Sequence, residues 1–218
     1  MTRYRARLAG WLTLVGLVSA AGYAQRFGGG KPPKNALYHW DTFANEVVLF
    51  AFIAMILWVI AVGLDARRTF ALRPPDSWRN ALGLMAIVFF AVLAVSGIVS
   101  PFLHPGREQG IVTTGWHPSH AAAFAANFLV FTFVGPLVEE LTFRGLGFRL
   151  LVRFGRPAAV VLVGLLFGVW HGLVEALPIL VAFGVLLAWI RERTHSLYPC
   201  VALHAFFNGI QLIASVVA

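Results

Sequence analysis

Charge is what this sequence has least of. Asp and Glu number 9 and Lys and Arg 17 among 218 residues, 12% in all. A soluble domain carries about 25%. So low a fraction excludes a solvated globular surface over most of the chain. Cysteine is nearly missing too. Cys200 stands alone, so no intrachain disulfide can form and nothing reports an oxidising compartment. Internal repeats, low-complexity tracts and a soluble basic face are also lacking. The net charge of +8 comes almost wholly from arginines in short loops, which excludes a nucleic-acid surface. Gly28-Gly29-Gly30 lacks the Lys-Ser/Thr of a phosphate loop and reads as a linker.

What is present is apolar. Hydrophobic residues make up 59% of the chain, and the mean hydropathy is +0.79. Runs near membrane-spanning length recur at Leu8 to Ala24, Ala44 to Leu64, Asn80 to Leu103, His120 to Leu141, Pro157 to Leu173, Pro178 to Ile190 and Cys200 to Ala218. They predict an all-α fold, a polytopic bundle of about seven transmembrane helices. Residues 1–218 form a single membrane domain, with 1–119 as N-terminal accessory spans and 120–218 as the catalytic core. The basic, apolar start fits a retained signal anchor better than a cleaved signal peptide, because the apolar core is long. Gly145 to Arg156, with Arg149 and Arg153 at i,i+4, reads as a short interfacial helix.

Alternating the spans puts thirteen arginines on the N-terminal side. Arg26, Lys31, Lys34 and Arg107 fall on the other. That bias predicts a cytoplasmic N-terminus and an outward C-terminus in a plasma or inner membrane. Trp and Tyr at span ends, such as Trp40, Trp78, Trp116 and Tyr198, agree. Packing is the default reading for Trp58, within a span, while Trp170 adjoins His171 and could line a cavity.

Ionisable groups inside spans are costly and need a reason. Glu140 and Arg144 are i,i+4 and are expected to pair. Glu139 points about 100° away and has no local partner, which suits a general base. Pro136, one turn earlier, is expected to leave the carbonyl of Thr132 without its donor and to kink the helix. Phe167 and His171 share one helical face. His204 and Asn208 share another, with Cys200 one turn back. Imidazoles can hold a water beside a carboxylate, and His and Asn can donate to an oxyanion.

The run from Pro136 to Gly145 resembles the EExxxR motif of the CAAX-protease and bacteriocin-processing (CPBP, or Abi) family. Phe167 to His171 resembles its FxxxH motif, and His204 to Asn208 its HxxxN/D motif. The resemblance covers about Ala121 to the C-terminus. It implies an intramembrane endopeptidase that cuts membrane-anchored peptides or proteins. Carried over, Glu139 activates water, His171 helps hold it, His204 and Asn208 line the oxyanion site, and Glu140 and Arg144 support the motif helix. Phe167 belongs to this supporting set.

A non-catalytic immunity or scaffold member and a membrane transporter are the alternatives. No cofactor is expected. If zinc were bound, Glu139, His171 and His204 would be its ligands, with Cys200 a conceivable fourth, but the HExxH spacing is missing. The histidines His104, His117 and His120 read as interfacial. The expected partners are a membrane-anchored peptide or protein substrate and the lipid bilayer, with no nucleic acid.

Overall fold

The computed structural model describes residues 2–29, 35–103 and 115–217. Lys31, Lys34, His104 and Arg107 lie outside these residues, as do Gly30 and Ala218. Among the described residues the chain is helical, with no strand. Seven longer helices follow one another: α1 (Thr2–Phe27), α2 (Trp40–Ala61), α3 (Trp78–Val99), α4 (Pro118–Phe154), α5 (Arg156–Trp170), α6 (Leu177–Thr194) and α7 (Tyr198–Val217). A one-turn helix, Ala66–Thr69, sits between α2 and α3, its first turn capped by the Asp65 carboxylate.

Each of the seven apolar runs is a helix. Five of them, α1 to α4 and α7, are long and apolar enough to cross a membrane. The fifteen-residue α5 is apolar but shorter, and α6 ends in Arg191, Glu192 and Arg193. The protein is a multi-pass membrane bundle. Trp40, Trp78, Trp116 and Tyr198 are exposed at helix ends, where amphipathic rings fit an interface. Trp58 does not pack internally: it is 69% exposed on α2.

The fourth helix departs most from expectation. It does not stop near Leu141 with a separate interfacial helix after it. It runs unbroken through Phe154, and Gly145, Gly147, Phe148, Leu150 and Leu151 are buried. The loop-like charges Arg149 and Arg153 ride on this extension. Two stretches of it are wide π turns, Val130–Val134 and Leu141–Gly147, with the regular segment Gly135–Glu140 between them.

Gly155, at φ 100°, turns the chain directly into α5. The α5–α6 pair then packs closely. Cβ atoms added at Gly164 and Gly168 would meet Val185 and Val181 at 2.4 Å, so glycine at this four-residue spacing lets the backbones approach. The α1 helix lies against α4 and α5. Tyr4 Oη donates to the Leu150 carbonyl, and Tyr23 Oη donates to that of Leu173 at the opposite end. At the Gly155 end, Arg153 stacks over Tyr4, Arg156 pairs with Glu192, and Arg73 donates to the His195 carbonyl.

Candidate active site

Depth decides whether the polar residues can meet. Asn127 on α4 donates to the carbonyls of Leu37 and His39, level with the start of α2. Glu139 follows twelve residues later, about 18 Å further along at helical rise. It stands sixteen residues before Gly155, and His171 stands sixteen after it. The α4–α5 hairpin therefore brings the two to one level, about 24 Å from the turn. The continuation of α4 through Phe154 is what supplies this distance.

Glu139 Oε2 lies 3.9 Å from His171 Nε2 and 3.7 Å from His204 Nε2. The Glu139 side chain keeps 13% exposure and that of His171 23%, so both reach open space. These separations leave each imidazole within one water of the carboxylate.

Behind this trio lies a fully buried support. Oε1 of Glu140 accepts from Arg144 Nη1 and from His204 Nδ1, each at 2.9 Å. Arg144 Nη2 donates to the Gly184 carbonyl at 2.9 Å, and its guanidinium sits 4.3 Å over the Phe167 ring. Glu140 and Arg144 are both 0% exposed, so the pair is compensated within itself and by α6. Phe167 also stacks edgewise on His171 at 4.7 Å and on His204 at 5.6 Å.

The hydrogen bonds assign the tautomers. A carboxylate bonded to arginine only accepts, so His204 carries a proton on Nδ1. His171 Nδ1 lies 2.8 Å from the Phe167 carbonyl, which only accepts, so it too carries a proton there. In their neutral forms both rings therefore turn an unprotonated Nε2 toward Glu139.

Asn208 is engaged elsewhere as well. Its Nδ2 donates to the Phe131 carbonyl at 2.9 Å. The Gly135 N–H bonds back to Val130, and Pro136 has no N–H to offer. The carbonyl capped from outside is thus that of Phe131, not of Thr132 as the proline spacing suggests, because the π turn shifts the register by one residue. One N–H of the Asn208 amide remains for another acceptor.

Sequence reasoning passed over Glu46. It lies six residues into α2, one turn before Phe50, and a Cβ on Gly135 would come within 2.8 Å of the Phe50 ring. Glu46 is close enough to Glu139 for their charges to interact. A carboxylate inside the second apolar run was the available signal. Trp170 is buried with its ring edge-on to Phe143 at 5.3 Å, and Cys200 Sγ donates to the Leu187 carbonyl. His117 and His120 pack around the Tyr38 ring. Among the described residues, no group of three or more His, Cys, Asp or Glu side chains is gathered so as to hold a metal ion.

Residues 121–210, from α4 into α7, match the family described as Type II CAAX prenyl endopeptidase Rce1-like. This stretch of the chain is Rce1-like. The Rce1-like segment carries Glu139, Glu140, Arg144, Phe167, His171, His204 and Asn208, and it leaves α1 to α3 outside. The match points to a CAAX-type intramembrane protease and to a membrane-associated substrate. No curated protein and no solved structure matches the chain.

Proposed function

We propose that the protein is an intramembrane endopeptidase that hydrolyses peptide bonds of membrane-anchored peptides or proteins with a water activated by Glu139. The observation that carries this reading is the approach of Glu139 to two imidazole Nε2 atoms at 3.9 and 3.7 Å. Glu139 takes a proton from the water, and His171 Nε2 accepts the other hydrogen bond that orients it. The hydroxide attacks the scissile carbonyl. The free N–H of Asn208 donates to the oxyanion. His204 joins it as a donor through Nε2 when the ring is imidazolium, its Nδ1 held by Glu140 at 2.9 Å. The proton collected by Glu139 then passes to the leaving amine.

A glutamic-type, metal-free mechanism is part of this proposal. The carboxylate of Glu139 then works on water directly, with the imidazoles of His171 and His204 beside it. These three are the residues that would have to draw together around a zinc ion.

The test is cleavage of membrane-anchored peptides, prenylated and unprenylated, by detergent-purified protein with mass-spectrometric readout. Wild type is expected to cut and Glu139→Gln to fall by about 10²–10⁴-fold while folding normally, since Gln keeps the shape and loses the base. Equal cleavage by the two proteins would end the reading.

A further inference from the structure

Helix α4 carries its glutamates between two π turns, and each turn is bonded by a side-chain N–H from another helix. On one side, Asn208 of α7 donates to Phe131. On the other, the Trp11 indole Nε1 of α1 donates to the Thr142 carbonyl at 2.9 Å. Trp11 is 0% exposed, its ring meets Phe143 edge-on at 6.2 Å, and a Cβ on Gly147 would fall 2.3 Å from its Cζ2. The indole thus sits inside the Leu141–Gly147 turn, where a glycine makes room for it.

A π turn holds one residue more than an α turn, and such turns cluster at functional sites. If the turn at Thr142 tightened to regular α-helix, the residues on one side would rotate by about 100° relative to the other and shift by about 1.5 Å. The C-terminal side is held fast. Leu150 is bonded to Tyr4, Gly145 lies against Phe70, and Phe148, Leu150 and Leu151 are buried. The rotation would therefore fall on Gly135–Glu140. It would turn Glu140 from His204 and Glu139 from both imidazoles.

We propose that Trp11 is a positioning residue for the Glu139–Glu140 pair: its indole N–H, donated to Thr142, holds the Leu141–Gly147 π turn open and so sets the rotation at which the two carboxylates meet His171 and His204. The residue lies on α1, outside the Rce1-like segment, which gives the accessory helix a part in the site. The proposal rests on the peptidase reading for its kinetic arm only.

The ring and its N–H have to be separated. Replacing Trp11 with benzothienylalanine keeps the bicyclic shape and removes the donor, and Trp11→Phe does so with loss of one ring. For both, kcat is expected to fall about tenfold with KM unchanged, the factor corresponding to one neutral hydrogen bond. Hydrogen exchange followed by mass spectrometry is expected to quicken at residues 141–148 and to stay at wild-type rates in α5. Wild-type kcat and wild-type exchange in the benzothienylalanine protein would overturn the proposal, and so would faster exchange throughout the bundle, which is the mark of packing alone. If wild type cuts no peptide, the peptidase reading fails, and the exchange at 141–148 still decides the role of Trp11.

Discussion

His204 and Arg144 share a single oxygen: Nδ1 of the one and Nη1 of the other each lie 2.9 Å from Oε1 of Glu140. The carboxylate thereby ties α7 to α4 and fixes which imidazole nitrogen faces Glu139. Replacing Arg144 removes the charge that keeps this carboxylate an acceptor, and with it the constraint on the His204 tautomer.

Arg144→Ala leaves Glu140 as a buried carboxylate with only an imidazole against it. The expected cost is about 3–5 kcal/mol, the scale for breaking a buried pair by removing one partner. Folded yield and thermal unfolding in detergent measure it. A protein of normal stability and normal activity would contradict the support role.

Asn208→Ala uncaps the Phe131 carbonyl and removes the oxyanion donor of the proposed mechanism. Turnover is expected to fall about 10²–10³-fold, the range for one lost donor. KM should change little, because the interaction strengthens only as the oxyanion forms. A rise in KM with kcat intact would instead place Asn208 in substrate binding.

Chelation separates the glutamic from the zinc reading. Purified wild type is expected to retain full turnover after 1,10-phenanthroline treatment and dialysis, with no stoichiometric metal by elemental analysis. Loss of activity restored by added zinc would assign Glu139, His171 and His204 as ligands.

Topology can be read with fusions. The arginines Arg3, Arg5, Arg7, Arg67, Arg68 and Arg73 belong to one end of the bundle, the end of the Gly155 turn. The positive-inside rule puts this end in the cytoplasm. A C-terminal reporter active only in the cytoplasm should be silent, and the same reporter placed at Gly155 should be active.

Much of this was legible from residue order alone. The seven apolar runs become helices, and i,i+4 spacing sets Glu140 beside Arg144, Phe167 beside His171 and His204 beside Asn208, because such pairs fix faces before any tertiary contact forms; that Glu139, His171 and His204 should meet follows from the resemblance, not from spacing. The length of α4 was not legible. Arg149 and Arg153 look like an interface, and nothing local says that Tyr4 and α1 cover the same turns from the other side. The π turns were hidden because they break the 3.6-residue period on which face assignments rest. Pro136 signalled a disturbance but misplaced it by one residue, at Thr132 instead of Phe131. Glu46 escaped notice because its relation to Glu139 exists only once α2 packs against α4 through Phe50 and Gly135.

The hairpin about Gly155 has one more consequence. Its two arms work like paired rulers read from a common zero. Adding a residue to one arm alone turns everything beyond it by about 100° and lifts it by about 1.5 Å, so the carboxylate and the imidazole no longer face each other. Lengthening both arms by a full turn keeps the faces in register and raises the pair together by about 5.4 Å. The depth of this carboxylate–imidazole pair is therefore a separable quantity in this architecture, written in the distance of Glu139 and His171 from a single glycine.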